Sequence, residues 1–167
     1  MTGPCFVDAN VLIYSRDRAD RLKRDQALAW IDRLWDEDAG RMSTQVLSEF
    51  YVTVTRKLAS PLSKDEAWAD VESFLAWDPL PIDTRVLAGA RQVEARFDLS
   101  WWDSLIVAAA QLQHCVLLLT EDLQDGAVYG SVTVRNPFRL SIQEALATYG
   151  ATPTGPRYRR RPSAMRA

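Results

Sequence analysis

The sequence predicts an α/β fold, a three-layer arrangement in which helices cover both faces of a mostly parallel central sheet. Short apolar runs alternate along the chain with segments whose apolar residues recur at helical spacing. The run at residues 115–119 is continuously apolar, which is typical of a strand that is buried on both faces. Strands separated by helices favour parallel pairing, because a parallel crossover is long enough to hold a helix.

The predicted elements follow one another in a regular order. Strands are expected at residues 6–7, 41–43, 79–82, 115–119 and 132–134. The third is an edge strand, because its two prolines cannot donate hydrogen bonds to a central ladder. Helices are expected at about 23–38, 44–58, 63–77 and 85–97, then from Ser100 onward and in a short segment opened by residues 141–144. A capping box, Ser63 with Glu66, marks the start of the third helix.

Length and composition indicate one globular domain. A chain of 167 residues with 47% hydrophobic and 25% charged residues is typical of a single folded unit, expected at residues 1–150. No apolar stretch approaches the roughly 20 residues of a membrane span, and the N-terminus lacks a signal-peptide pattern. Cys5 and Cys115 lie in apolar runs and are predicted to be reduced core thiols. We therefore expect a cytoplasmic protein without a membrane partner.

The net charge of −2 is unevenly distributed. Residues 1–156 carry 15 basic and 22 acidic groups, whereas five arginines and no acids follow residue 156. The segment 151–167, rich in proline and without apolar periodicity, is predicted to be a disordered basic tail. It is either a solvated terminus or an electrostatic contact for nucleic acid.

Four acidic residues, Asp8, Glu49, Asp103 and Asp122, lie where apolar segments meet a turn or a helix. Carboxylates beside a core are costly unless their charge is compensated. At the carboxyl ends of parallel strands they could converge on one crevice. Mg²⁺ and Mn²⁺ prefer such oxygen ligands, and a bound cation keeps packed carboxylates ionised. The four acids therefore predict a divalent metal site.

Each of these acids also has a purely structural interpretation. Ser100 and Asp103 could form a capping box, and Asp8 with Asn10 could make a turn. The other two acids could be an exposed helical residue and an ordinary loop residue.

Other catalytic chemistries have weaker support. His114 is the only histidine, so a Ser-His-Asp or Cys-His mechanism is disfavoured, and His114 is predicted to be structural. No glycine-rich phosphate loop followed by lysine is present. Among the six tryptophans, Trp101 and Trp102 beside Asp103 are the candidates for substrate contact. Core or dimer packing is expected for the other four, Trp30, Trp35, Trp68 and Trp77.

Four stretches together resemble a known family. They are FVDANVL (residues 6–12), STQVLSEF (43–50), WDSLIVAAA (102–110) and LLTEDLQDG (118–126). In order, spacing and flanking residues, the chain over about residues 4–147 resembles PIN-domain ribonucleases, in particular the VapC-type toxins of bacterial toxin–antitoxin pairs. This resemblance implies a parallel α/β/α sandwich that cleaves RNA with Mg²⁺ or Mn²⁺.

The resemblance also implies roles for individual residues. Asp8, Asp103 and Asp122 would hold one or two metal ions, and Glu49 would complete the shell or orient the attacking water. Two polar residues, Asn10 and Thr120, match supporting positions near the metal. In the last motif Glu121 and Asp125 are alternatives to Asp122 as the fourth acid. Asp122 is preferred, because it stands two residues after the threonine, as in the family pattern.

The resemblance further implies a homodimer and a cognate antitoxin whose C-terminal segment covers the acidic crevice. We expect exposed apolar surface on the helices around residues 27–35 and 46–58 to make these contacts. Two rival functions remain. A PIN-like domain could bind RNA or a partner without cutting. A receiver-like signalling domain would bind Mg²⁺ with its acids and place a lysine after a late strand. It is disfavoured, because Arg135-Asn136-Pro137 follows the last strand and no lysine lies beyond Lys64.

Overall fold

The structure, a computed structural model, describes residues 3–139. Its centre is a five-stranded sheet of order β2-β1-β3-β5-β4, parallel except for the pairing of β4 with β5. The strands are β1 (Cys5–Val7), β2 (Gly40–Arg41), β3 (Leu117–Leu119), β4 (Val128–Tyr129) and β5 (Val132–Arg135). The mostly parallel sheet of the sequence analysis is confirmed.

Within residues 3–139 there are six α-helices. They are α1 (Ala9–Tyr14), α2 (Arg21–Asp36), α3 (Thr44–Arg56), α4 (Lys64–Phe74), α5 (Thr84–Phe97) and α6 (Trp101–Leu112). Every residue of β1 and β3 is buried, so helices cover both faces of the sheet centre and the fold has three layers. No helix of this part of the chain is long and apolar enough to cross a membrane.

Side-chain caps set most of the helix starts. Ser63 forms the predicted capping box with Glu66 at the start of α4. The side chains of Asp20, Asp83 and Ser100 accept backbone N–H bonds at the starts of α2, α5 and α6. Because these polar caps are visible in the sequence, the predicted starts of α2 to α6 lie within two residues of the observed ones.

The apolar stripes of the helices fill the core. In α2 the buried set is Ala27, Trp30, Ile31, Leu34 and Trp35; in α3 it is Val46, Leu47, Phe50 and Val54. Trp77 is also buried, whereas Trp68 is 52% exposed and contacts the Tyr51 ring edge-on, so core packing is confirmed for three of the four tryptophans. Both cysteines are free and buried.

Three local predictions differ from the structure. Residues 79–82 form no strand, only a single parallel bridge between Ser43 and Leu80, since two prolines remove donors within four residues. The helix expected to reach residue 77 ends at Phe74 and continues as a 3₁₀ turn, Leu75–Trp77. The short elements α1 and β4 were not predicted. The predicted helix at 141–144 and the basic tail lie outside the described residues.

Candidate active site

Two neighbouring strands bring the first part of the site together. Asp8 directly follows β1 and Thr120 directly follows β3, and these strands pair in parallel with Val7 opposite Leu119. The Asp8 N–H donates to the Leu119 carbonyl at 3.0 Å, which extends the pairing past the end of β1. The carboxyl ends of parallel strands are where α/β folds place their sites.

The Asp8 carboxylate is buried, and each of its oxygens accepts a hydrogen bond. One oxygen accepts the Ala9 N–H at 2.7 Å and caps α1, while the other accepts the Thr120 hydroxyl at 2.8 Å. The Thr120 oxygen in turn accepts the Asp122 N–H at 3.1 Å. A single hydroxyl therefore links the end of β1 to the loop after β3.

Asn10 closes this group of side chains. Its Nδ2 donates at 3.0 Å to Thr120 Oγ1 and at 3.0 Å to Asp122 Oδ2, and it lies 3.4 Å from Asp8 Oδ2. Its Oδ1 is buried and has no hydrogen-bond partner among the described residues. This oxygen, on the side chain whose Nδ2 bonds Asp122, is a further acceptor that suits a hard cation or its bound water.

Electrostatics give Asp8 an unusual titration. Burial raises the pKa of Asp8 to about 7, the hydrogen bonds from Thr120 and Ala9 oppose this rise, and the negative charges of Asp122 and Glu49 add to it. Asp122 and Glu49 therefore lie close enough to repel an ionised Asp8. A bound cation would reverse that repulsion.

Glu49 reaches this region from α3, which packs against α1. It is exposed, and its Oε1 accepts a hydrogen bond from Gln45 Nε2, one helical turn earlier, at 2.9 Å. Gln45 was not predicted as a site residue, although its four-residue spacing from Glu49 would have been a usable signal.

Asp103 lies in the first turn of α6, the helix that leads into β3. Its N–H donates to Ser100 Oγ at 3.1 Å, so Ser100 caps α6. Its Oδ2 accepts the Ser100 hydroxyl at 2.7 Å, whereas a capping box would use the Ser100 backbone N–H. A turn of four residues joins the end of α6 to the start of β3. A helix that packs back along the strand it precedes begins near the carboxyl ends of the strands. Burial and the nearby Asp103 charge raise the pKa of Tyr129 in β4. No hydrogen bond joins Asp103 to Asp8 or Asp122 within the described residues.

The three acids of the loop after β3 each have a different partner. Glu121 is paired with Lys23 at 2.7 Å. Asp125 accepts the Asn136 N–H at 2.9 Å. Only Asp122 of the three bonds Asn10, so it is the one whose carboxylate faces Asp8.

The remaining candidates lie at the edges of this region or away from it. Trp102 is 65% exposed beside Asp103, whereas the Trp101 side chain packs partly against the core. His114 is exposed in the turn before β3, at the opposite end of that strand from Thr120, with φ 55°. This position agrees with a structural role for His114.

The residues present fit a divalent metal by chemistry. Asp8, Asp122 and Asn10 offer hard oxygen atoms, one of them unpartnered, and the negative charge of the exposed Asp122 opposes ionisation of the buried Asp8. Over residues 3–139 the side chains do not form a ready-made group of three or more His, Cys, Asp or Glu ligands. Full coordination would therefore need side-chain movement or bridging water.

Several solved structures share the fold of this chain. Its fold resembles a toxin–antitoxin complex from Klebsiella pneumoniae (TM-score 0.54, 18% identity, 80% of this chain and 97% of that one). It also resembles DNA-bound VapBC from Salmonella typhimurium (0.56, 17%, 81% and 99%) and VapBC2 from Rickettsia felis bound to a promoter DNA fragment (0.54, 11%, 79% and 97%). No curated protein sequence matches significantly.

The sequence itself matches the PIN-domain family model over residues 5–124. The chain therefore belongs to the PIN-domain family, and the family resemblance found in the sequence is confirmed. The matched region contains all four predicted acids.

Proposed function

We propose that the chain is a metal-dependent endoribonuclease and the toxin of a bacterial toxin–antitoxin pair. The observation that carries this proposal is the hydrogen-bonded group of Asp8, Asn10, Thr120 and Asp122 at the carboxyl ends of β1 and β3, in which Asp8 and Thr120 are buried. Family membership supports a nuclease, and the unpartnered Asn10 oxygen supports a divalent cation.

In this proposal Asp8, Asp103 and Asp122 hold Mg²⁺ or Mn²⁺, directly or through water. When bound, the ion would polarise the scissile phosphate and lower the pKa of an attacking water. Thr120 and Asn10 orient the Asp8 and Asp122 carboxylates through the hydrogen bonds described above.

Two groups would act on the substrate side. Glu49 is exposed and held by Gln45, so it can complete the coordination shell or accept a proton from the water. Trp102 is exposed beside Asp103 and can stack on a base of the RNA. Trp101, which is partly packed against the core, would contribute less.

Total RNA incubated with Mn²⁺ tests the activity. The parent chain should produce fragments with defined ends, and Asp8→Asn should cut at least roughly 100-fold more slowly, since even outer-shell partners of metals are worth about 10–100-fold. Asp65→Asn, an exposed acid in the first turn of α4, is the matched control.

Excess EDTA should abolish cleavage. Cleavage that survives in EDTA, or an Asp8→Asn variant as active as the parent, would rule the proposal out. RNA retained without any fragments would instead support the non-cleaving alternative.

The partners follow from the same proposal. The structurally similar chains come from toxin–antitoxin complexes, which supports a cognate antitoxin for this chain, and a homodimer is expected from the resemblance. Within 27–35 most apolar residues are buried in the core, and Leu28 and Ala29 are the half-buried ones that could contribute to such a surface. Exposed Val52 on α3 and Trp68 on α4 remain available. Light scattering of the purified chain, and its copurification with a neighbouring gene product, test both partners.

A further inference from the structure

A lysine outside the predicted site occupies a cage beside it. The Lys23 ammonium of α2 donates to Glu121 Oε2 at 2.7 Å and to the Tyr14 hydroxyl at 3.2 Å. It lies 4.4 Å from the centroid of the Tyr14 ring and 5.2 Å from that of Phe138, and these two rings meet edge-on at 5.0 Å. We call Lys23, Tyr14, Glu121 and Phe138 the lysine cage.

Both hydrogen-bond partners of Lys23 are next to site residues. Tyr14 lies one turn after Asn10, on the same face of α1. Glu121 directly precedes Asp122. The lysine therefore ties together the same two chain segments that the Asn10–Asp122 hydrogen bond joins at 3.0 Å.

The cage also bears on which acid of the loop faces the site. Lys23 and Glu121 are only 30% and 23% exposed, and cation–ring contacts add to their ion pair. A shielded, charge-assisted pair is stronger than a fully solvated one. With Glu121 held by Lys23 and Asp125 held by Asn136, Asp122 is left to face Asn10.

We propose that Lys23 is a positioning residue of the candidate site, holding α1 and the loop after β3 in the arrangement that places Asn10 against Asp122. This inference deepens the proposed function, and the part of the inference that concerns metal binding rests on that function. Lys23 itself touches neither metal nor substrate in this proposal.

The direction in which Lys23→Met changes the affinity for Mn²⁺ tests this proposal. Removing a positive charge near acidic ligands would by itself tighten Mn²⁺ binding. Loss of positioning should weaken it, by about tenfold, as for other outer-shell partners of metals. Titration calorimetry or Mn²⁺ electron paramagnetic resonance measures the dissociation constant. Lys64→Met, which removes an exposed lysine from α4, is the matched control and should change the constant little.

Amide hydrogen exchange on the metal-free chain tests the positioning without any metal or activity. Lys23→Met and Glu121→Gln should each speed exchange in peptides covering 9–14 and 118–126, where the Asp122 N–H is hydrogen-bonded to Thr120. The double variant should add little more, because the two residues form one pair. Peptides from α5 should exchange as in the parent, which excludes general loosening.

The outcomes separate the two proposals. Unchanged exchange at 9–14 and 118–126, or Mn²⁺ binding that tightens in Lys23→Met, overturns the positioning role. A parent chain that binds no Mn²⁺ contradicts the proposed function, and the exchange data alone then decide the role of Lys23.

Discussion

Asp8 serves the fold and the candidate site with the same carboxylate. One oxygen caps α1 and the other accepts the Thr120 hydroxyl. The turn expected as the structural interpretation of Asp8 is in fact a helix start, which is a related use of an aspartate. A residue can therefore satisfy the structural and the functional interpretation together, and sequence alone could not choose between them.

The raised pKa of Asp8 predicts a pH-dependent stability for the metal-free chain. Because the pKa rises from 3.8 to about 7 on folding, the folded chain binds an extra proton between about pH 4 and pH 7. The contribution of Asp8 is thus fully present below pH 4, and the free energy of unfolding falls as the pH rises through 7. Relative to Asp8→Asn, the parent should lose up to about 4 kcal/mol between pH 4 and pH 8.

Urea denaturation of both chains at several pH values in EDTA measures this difference. The Asp65→Asn control should follow the parent, and saturating Mn²⁺ should restore the parent at pH 8. Identical pH profiles for the parent and Asp8→Asn would show that Asp8 does not titrate near neutrality.

At the level of elements, the long helices were predictable and the short pieces were not. Helices α2 to α6 each carry an apolar stripe, and most begin at a polar cap. The periodicity and the caps therefore indicate the same helices in the sequence. Helix α1 has six residues, too few for a periodic signal, and β4 has two. Such elements are fixed by their neighbours: β4 exists because it pairs with β5.

The start of α6 gives a prediction at this scale. Ser100→Ala removes the cap of the Asp103 N–H and the hydroxyl that holds the Asp103 carboxylate. We expect a loss of about 1 kcal/mol in the free energy of unfolding and Mn²⁺ binding weakened by about tenfold. Ser63→Ala removes the equivalent cap of α4 and should cost similar stability with unchanged Mn²⁺ binding. Equal Mn²⁺ affinities in the two variants would place Asp103 outside the metal site.

At the level of the whole molecule, the candidate site depends on contacts that sequence spacing does not encode. Asp8 and Thr120 are 112 residues apart, and Lys23 and Glu121 are 98 apart. The alternation of strands and helices predicted a shared edge for Asp8 and Asp122, because parallel strands end on the same side. It could not predict that β1 and β3 are neighbours, nor that an ordinary helical lysine would reach the loop after β3. Lys23 was missed for that reason.

The charge distribution of the whole chain leads to the last prediction. Residues 1–156 have a net charge of −7, which repels a polyanion such as RNA, whereas the charge of the five arginines after residue 156 attracts one. A chain ending at Gly155 should bind RNA more weakly. On a logarithmic plot of affinity against salt, the slope should be smaller by up to about 3.5, because each phosphate that an arginine neutralises adds roughly 0.7.

Fluorescence anisotropy with a labelled single-stranded RNA, in an Asp8→Asn background that prevents cleavage, measures this slope. Replacing the five arginines with glutamine in the full-length chain is the control that separates charge from chain length. Because counterion release depends on charge alone, this variant should match the shortened chain at every salt concentration. A slope unchanged by either alteration would assign RNA attraction to residues 1–156 despite their net negative charge, and the basic tail would then be only a solvated terminus.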